Sequence, residues 1–179
     1  MAKKTGVYID LSSLYYCVTQ KFGHRKINYK AVLDYIKGLG GEVVVCNAYG
    51  VHNNSEADAF IRRLETLGIA TRYKAPRTAG GKFWYRENWT VGIVVDMLTK
   101  LPELDRYIIC SSEYGVADMV QTLMDNKKEV IELSINITDD IKRIVPRCIE
   151  IPESMLESKH PKVKGQPEVP AELKEKEDA

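Results

Sequence analysis

Histidine and cysteine are scarce in this chain: three histidines, and four cysteines (Cys17, Cys46, Cys110 and Cys148) that lie far apart, with no C-x-x-C pair and no histidine pair beside them. That spacing argues against a zinc site and reads as reduced core thiols of a cytoplasmic protein. A net charge is also missing. With 26 basic against 25 acidic side chains, no global field draws in nucleic acid or an anionic membrane, so any such contact must come from a local patch. No apolar run approaches the length of a membrane span, and too few apolar residues follow the basic Met1–Gly6 for a secretory signal, so no membrane association is expected. The common phosphate cradles are absent too. No G-x-G-x-x-G follows the first apolar run and no G-x-x-x-x-G-K-[ST] occurs anywhere; a G-x-S-x-G nucleophile turn is likewise missing. An aspartate-nucleophile phosphatase would want an acid at position 12, where Ser12 stands.

What is present is a chain of 179 residues, 44% hydrophobic and 28% charged, long enough to bury a proper core as one soluble globular domain. It is organised around Gly6–Tyr16. Val7, Tyr8 and Ile9 favour a buried strand that stops at Asp10; Ser12 and Ser13 are good helix caps, and Leu14, Tyr15, Val18 and Phe22 recur at helical spacing. A strand, a tight turn and a helix place Asp10 at the carboxyl end of a strand, where open α/β sheets bind ligands. The alternative is a turn aspartate that caps the helix.

The same alternation continues. Asn28 is placed to cap a helix carrying Val32, Leu33, Ile36 and Leu39, and Glu42–Tyr49 holds a continuous apolar run expected of a strand covered on both faces. Ser55 and Asp58 stand in capping-box spacing before a helix with Phe60, Ile61, Leu64 and Leu67. Ile69–Ala75 reads as a strand, and Asn88 can cap a helix over Trp89–Lys100 in which Asp96 is expected to be partly buried. Strands at Tyr107–Cys110, Glu129–Leu133 and Cys148–Ile151 alternate with helices at Val116–Asp125 and after Thr138 or Asp139. This order predicts a three-layer, Rossmann-like α/β domain with a mainly parallel sheet, right-handed crossovers and helices on both faces, spanning residues 1–157. From Ser158 to Ala179 the composition turns to proline and alternating charge, which predicts a disordered tail.

Two features point to chemistry. Arg72–Arg86 carries Arg72, Lys74, Arg77, Lys82 and Arg86 with no acid, interleaved with Tyr73, Phe83, Trp84 and Tyr85. Cations for phosphates beside rings for bases are what holding a single-stranded nucleic acid requires; otherwise the segment is a Gly80-Gly81 hairpin with packed rings and solvated lysines. The second feature is acidic. Asp10, Glu113 and Asp96 are expected to converge at one sheet edge, where clustered carboxylates call for a divalent cation, magnesium or manganese by their oxygen ligands. Asp10 and Glu113 would hold the ion and Asp96 would orient it or its water. The chemistry would be phosphodiester hydrolysis.

The segments Y-I-D-L-S-S-L-Y-Y from Tyr8, A-Y-G at Ala48–Gly50, V-G-I-V-V-D-M-L at Val91–Leu98 and I-I-C-S-S-E-Y-G-V at Ile108–Val116 resemble, in order and spacing, the NYN domain family of PIN-like nucleases, over roughly residues 5–152. The resemblance implies a magnesium- or manganese-dependent ribonuclease site, with Asp10, Asp96 and Glu113 matching family acids. Three positions depart from it: Ser13 stands where asparagine is usual, and Gly92 and Gly115 stand where acids are. Fewer carboxylates hold a cation less well. The expected function is therefore RNA handling, by a nuclease with a reduced acidic site or by a descendant that binds without cutting. Its nucleic-acid contacts would be Ser13, Lys74, Arg77, Lys82, Trp84 and Arg86. The competing class is an inactive protein-interaction scaffold, with a protein partner or a second copy of the chain as its ligand.

Overall fold

The computed structural model describes residues 2–23, 25–52, 55–74, 77–79, 82–84, 89–111 and 117–157. Its centre is a six-stranded, all-parallel sheet in the order β3-β2-β1-β6-β7-β8, built from β1 (Lys4–Asp10), β2 (Glu42–Val51), β3 (Ala70–Lys74), β6 (Arg106–Cys110), β7 (Glu129–Ser134) and β8 (Arg147–Glu150). Between β3 and β6 the chain makes an antiparallel hairpin, β4 (Arg77–Ala79) with β5 (Lys82–Trp84). The helices are α1 (Leu11–Phe22), α2 (Tyr29–Gly38), α3 (Ser55–Thr66), α4 (Thr90–Thr99), α5 (Ala117–Asp125) and α6 (Asp139–Ile144).

Two apolar cores result, one on each sheet face. Leu14, Val18, Val32, Leu33, Ile36 and Leu64 of α1–α3 meet Val7, Ile9, Ile108 and Ile131 on one face. Ile93, Met97, Met119, Val120, Leu123 and Ile141 of α4–α6 meet Tyr8, Tyr49, Tyr107, Ile109 and Val130 on the other. The expected α/β architecture is thus the observed one. β1 and β6 are buried along nearly their whole length, as continuous apolar strands in the middle of a doubly covered sheet should be. β2 departs from expectation: only Ala48, Tyr49 and Gly50 are buried, and residues 42–47 keep some exposure.

From β1 the chain first fills the sheet toward β3 and then, through β6, toward β8. The order therefore reverses between β1 and β6, and the crevice outside their carboxyl ends is the topological switch point at which such sheets take ligands. At the far end of the chain, a short 3-10 turn at Glu153–Met155 ties back to the α1–α2 connection. The Asn28 amide donates to the Met155 carbonyl at 2.9 Å, the Glu157 amide to the Lys26 carbonyl at 2.8 Å, and Ile27 bridges Leu156. The predicted tail, 158–179, lies outside the described residues.

Candidate functional site

Asp10 ends β1 at the switch point, and the turn into α1 is immediate: Asp10 is the N-cap of α1, its Oδ1 accepting from the Ser13 amide at 3.0 Å. The helix begins one residue after the strand ends, so the cap is the last strand residue and not Ser12 or Ser13, as local sequence suggested. Such a cap contributes about 0.5–2 kcal/mol. Asp10 and Ser13 are both buried, at 4% exposure each. The capping alternative is thus the one observed, and the capping aspartate stands at the carboxyl edge of the switch point. Ser111, which follows β6, and Ser134, which ends β7, are buried beside it along the same edge.

Asp96 is carried by α4. α4 runs from the carboxyl edge, where Trp89 precedes it, down over the sheet, and Asp96 lies about one and a half turns in. Its Oδ2 accepts from the Tyr49 hydroxyl at 2.7 Å and its Oδ1 pairs with Arg72 Nη1 at 3.1 Å. The Tyr49 ring leans back along β2, since its hydroxyl also accepts from Asn47 Nδ2 at 3.3 Å. Burial, then the bond given to Asp96, push the Tyr49 phenol far above its usual range. The Tyr8 phenol is raised as well, first by burial, then by Tyr107 and Asp96. Both oxygens of Asp96 are thus engaged, one by Tyr49, the residue opposite Asp10 in the sheet register, and one by Arg72. The helical position one turn nearer the edge is Gly92, and no carboxylate can be added there without a shift: a Cβ would lie 2.8 Å from Trp89 Cε3 and 3.2 Å from its Cζ3.

Trp89 fills that space. Its Nε1 donates to the Gly50 carbonyl at 2.8 Å, its ring is tilted against Tyr49 at 5.4 Å, and Lys74 Nζ lies 4.3 Å from the ring centroid. Two local rules are broken to hold it. Trp89 is the N-cap of α4 yet makes no side-chain cap bond, and Gly92 stands inside the helix; each costs about 1 kcal/mol against a good capping residue or alanine. On the other side of the β2–β3 edge, His52 Nε2 meets Asp58 Oδ1 at 2.7 Å and the imidazole stands edge-on to Tyr73. Asp58 thus pairs with a loop histidine, and the expected capping-box contact with Ser55 lies outside the described side chains. The Tyr73 hydroxyl is buried without a hydrogen-bond partner among the described residues, and burial, with Glu65, raises it to about 12.

Of the remaining expected residues, Lys74 ends β3 at this edge, and Arg77, Lys82 and Trp84 are carried by β4 and β5, which follow it directly. Glu113, Arg86 and the expected Asn88 cap lie outside the described residues. Among the described residues no group of three or more His, Cys, Asp or Glu side chains could hold a metal ion. Asp10 is engaged as the α1 cap and Asp96 by Tyr49 and Arg72, so either would have to give up a bond to hold a divalent cation. A hollow of about 480 Å³ does occur, but at the amino end of the sheet, lined by Lys3, Asp105, Lys127, Lys128 and Glu129. It is open and remote from the switch point, and the topology favours the carboxyl edge.

A parallel sheet covered on both faces, with a capping aspartate at its switch point, defines a Rossmann-like α/β domain of PIN-like type. The NYN domain family model matches residues 4–151, and the chain belongs to that family. NYN domains imply a PIN-like nuclease ancestry, generally with divalent metals and nucleic-acid ligands. Among solved structures, a protein of unknown function from Vibrio parahaemolyticus is similar in fold, with a TM-score of 0.77 at 20% identity over 87% of this chain and 97% of that one. Comparison with curated proteins gives no significant match.

Proposed function

We propose that this chain is an RNA-binding NYN protein whose acidic site is reduced, so that holding single-stranded RNA is its main activity and metal-dependent cleavage is weak. The observation that supports this reading is Asp96, whose two oxygens are already taken, one by an ion pair with Arg72 and one by a hydrogen bond from Tyr49. Nucleic acid would cross the carboxyl edge, with Ser13 and Lys74 near Asp10 and Trp89, and with Arg77, Lys82, Trp84 and Arg86 of the hairpin region gripping the backbone. Asp10 and Glu113 remain the residues proposed to meet any magnesium or manganese ion. Its chemistry, when bound, would be activation of water and support of phosphoryl charge. We also place the protein in the cytoplasm, in keeping with four cysteines that form no disulfide; no helix among the described residues is long and apolar enough to cross a membrane.

The test is a titration of the full chain with single-stranded RNA at several salt concentrations, beside a cleavage assay with manganese. Binding with a steep salt slope, flattened when Arg77, Lys82 and Arg86 become alanine, is the expected result. Rapid cleavage that Asp10→Asn abolishes would overturn the reduced-site reading, and absence of binding would overturn the RNA reading.

A scaffold role has one observation in its favour. Val91, Val95 and Leu98 form an apolar stripe on the outer side of α4, at 76%, 56% and 38% exposure. Concentration-dependent sedimentation that Val95→Glu abolishes, in a chain that does not bind RNA, would establish that role instead.

A further inference from the structure

We infer that His52 is a general base with which this chain cleaves single-stranded RNA without a metal ion, by drawing the proton from a ribose 2′-hydroxyl. This goes beyond the binding role above and rests on it for the placing of the strand. The first argument is the state of the imidazole. His52 is the one histidine among the described residues, and its Nε2 meets Asp58 Oδ1 at 2.7 Å. A carboxylate on Nε2 keeps the proton on that nitrogen and leaves Nδ1 as the basic one. Nδ1 meets no hydrogen-bond partner among the described residues, and the side chain is 43% exposed. The second argument is how firmly the ring is held. The His52 amide donates to the Lys74 carbonyl at 3.0 Å, which ties the residue to the end of β3, and the imidazole stands edge-on to Tyr73 at 6.5 Å. Backbone, carboxylate and neighbouring ring all restrain it, so little remains to be ordered when a substrate arrives.

The third argument is place. The sheet order β3-β2-β1 sets the end of β2 between Asp10, which ends β1, and the β4–β5 hairpin with Arg77 and Lys82, which follows β3. RNA that reaches from the crevice to the hairpin therefore crosses the end of β2, where His52 stands. The step needs no further reactant. Nδ1 takes the 2′-hydroxyl proton as the 2′-oxygen bonds to phosphorus; the bond from phosphorus to the 5′-oxygen breaks, and that oxygen takes a proton from water. The imidazolium then returns its proton to the hydroxide left behind. The products are a 2′,3′-cyclic phosphate and a 5′-hydroxyl, unlike those of a metal-activated water, which enters the product.

The full chain is incubated in excess EDTA with a single-stranded RNA oligonucleotide, and binding is read separately by anisotropy with 2′-O-methyl RNA of the same sequence, which has no proton to give. The expected result is that the methylated strand binds and stays intact while the RNA is cut to fragments ending in cyclic phosphate. His52→Gln, which can still donate to Asp58, should bind equally well and cut about 100-fold more slowly or worse. His52→Ala should be as slow and recover part of its rate in added imidazole, which a purely structural histidine would not show. If His52→Ala does not fold, His52→Gln and the product ends decide the matter. RNA that is bound but left intact in EDTA, or cut equally fast by His52→Gln, or cut to ends without cyclic phosphate, overturns the base while leaving RNA binding in place. If the methylated strand does not bind, the RNA reading itself fails and this inference falls with it.

Discussion

Glu129 and Glu132 stand on the same strand, β7, yet the two ends of the sheet treat them in opposite ways. At the amino end, Glu129 Oε2 accepts from Lys3 Nζ at 2.9 Å and from Arg106 Nε at 2.7 Å. Burial alone would raise its carboxyl, but those bonds and charges outweigh it and hold the group below the usual range. Toward the carboxyl end, Glu132 is 1% exposed and no cation or side-chain donor among the described residues meets its carboxyl. Burial pushes it well above the usual range, and only the Ser111 backbone opposes the shift. One end meets charge with charge. The other gathers an acid without a counter-charge, a helix start without a side-chain cap and a helical glycine.

The sharpest way to break that contrast is Glu132→Gln, because an unpaired buried carboxylate costs several kcal/mol when ionised. A raised native value gives stability that is complete below the ordinary carboxylate range and is lost as pH rises toward the native value. The glutamine variant should therefore gain in urea midpoint over the parent at about pH 8 and match it at about pH 5. Parallel curves for the two proteins would show that Glu132 has a partner in solution. Glu129 has the opposite sign: its contribution is present above the ordinary range and is lost as pH falls through the lowered native value.

Next in size is Arg106→Ala, which strands Glu129 at the amino end and should cost about 2–3 kcal/mol by denaturant titration, with RNA affinity unchanged. A fall in affinity would mean that the two ends are coupled. Asp96→Asn loses the exposed ion pair with Arg72 and weakens the Tyr49 bond, for about 1–2 kcal/mol. Manganese binding by calorimetry should not change; a clear drop would restore Asp96 to a metal site. Smaller again is Gly92→Ala. Its gain in helix propensity of about 1 kcal/mol is outweighed by crowding of Trp89 at about 2 kcal/mol, leaving a net loss of about 1 kcal/mol and a shifted tryptophan emission. The smallest effect is expected from ending the chain at Glu157, where less than about 0.5 kcal/mol should be lost, because the ties to Lys26 and Asn28 remain. A drop of several degrees in melting temperature would show that the tail packs.

Most of the fold was legible because its signals are local. Continuous apolar strands marked β1, β6 and β7, and the caps Asn28 and Thr138 are where the spacing put them, accepting from Ala31 and Ile141. The position of Asp10 at a strand's carboxyl end was legible for the same reason. What could not be read were pairings between residues distant in sequence. Asp96 finds Tyr49 across 47 positions, Trp89 finds Gly50 across 39, and nothing near either residue announces its partner. Trp89 was therefore read only as the first residue of a helix, while Trp84 drew attention through its cationic neighbours. A glycine inside an otherwise apolar helix was the one available sign that a large ring packs there.

The sheet order has a consequence for how the chain reaches its native state. β1 is the central strand, and its second neighbour, β6, pairs Arg106 with Thr5, so that contact closes a loop of about a hundred residues. Its first neighbour, β2, is far closer in sequence. Loop closure of this span slows folding, whereas the β1-α1-α2-β2-α3-β3 unit can gather early. That early unit leaves the β6 side of β1 unsatisfied until the second half of the chain arrives, so a nascent or stalled chain presents an apolar parallel edge to its surroundings. Pulse-labelled hydrogen exchange should find Val45–Ala48 protected before Ile108–Cys110. The reverse order would place the nucleus in the second half.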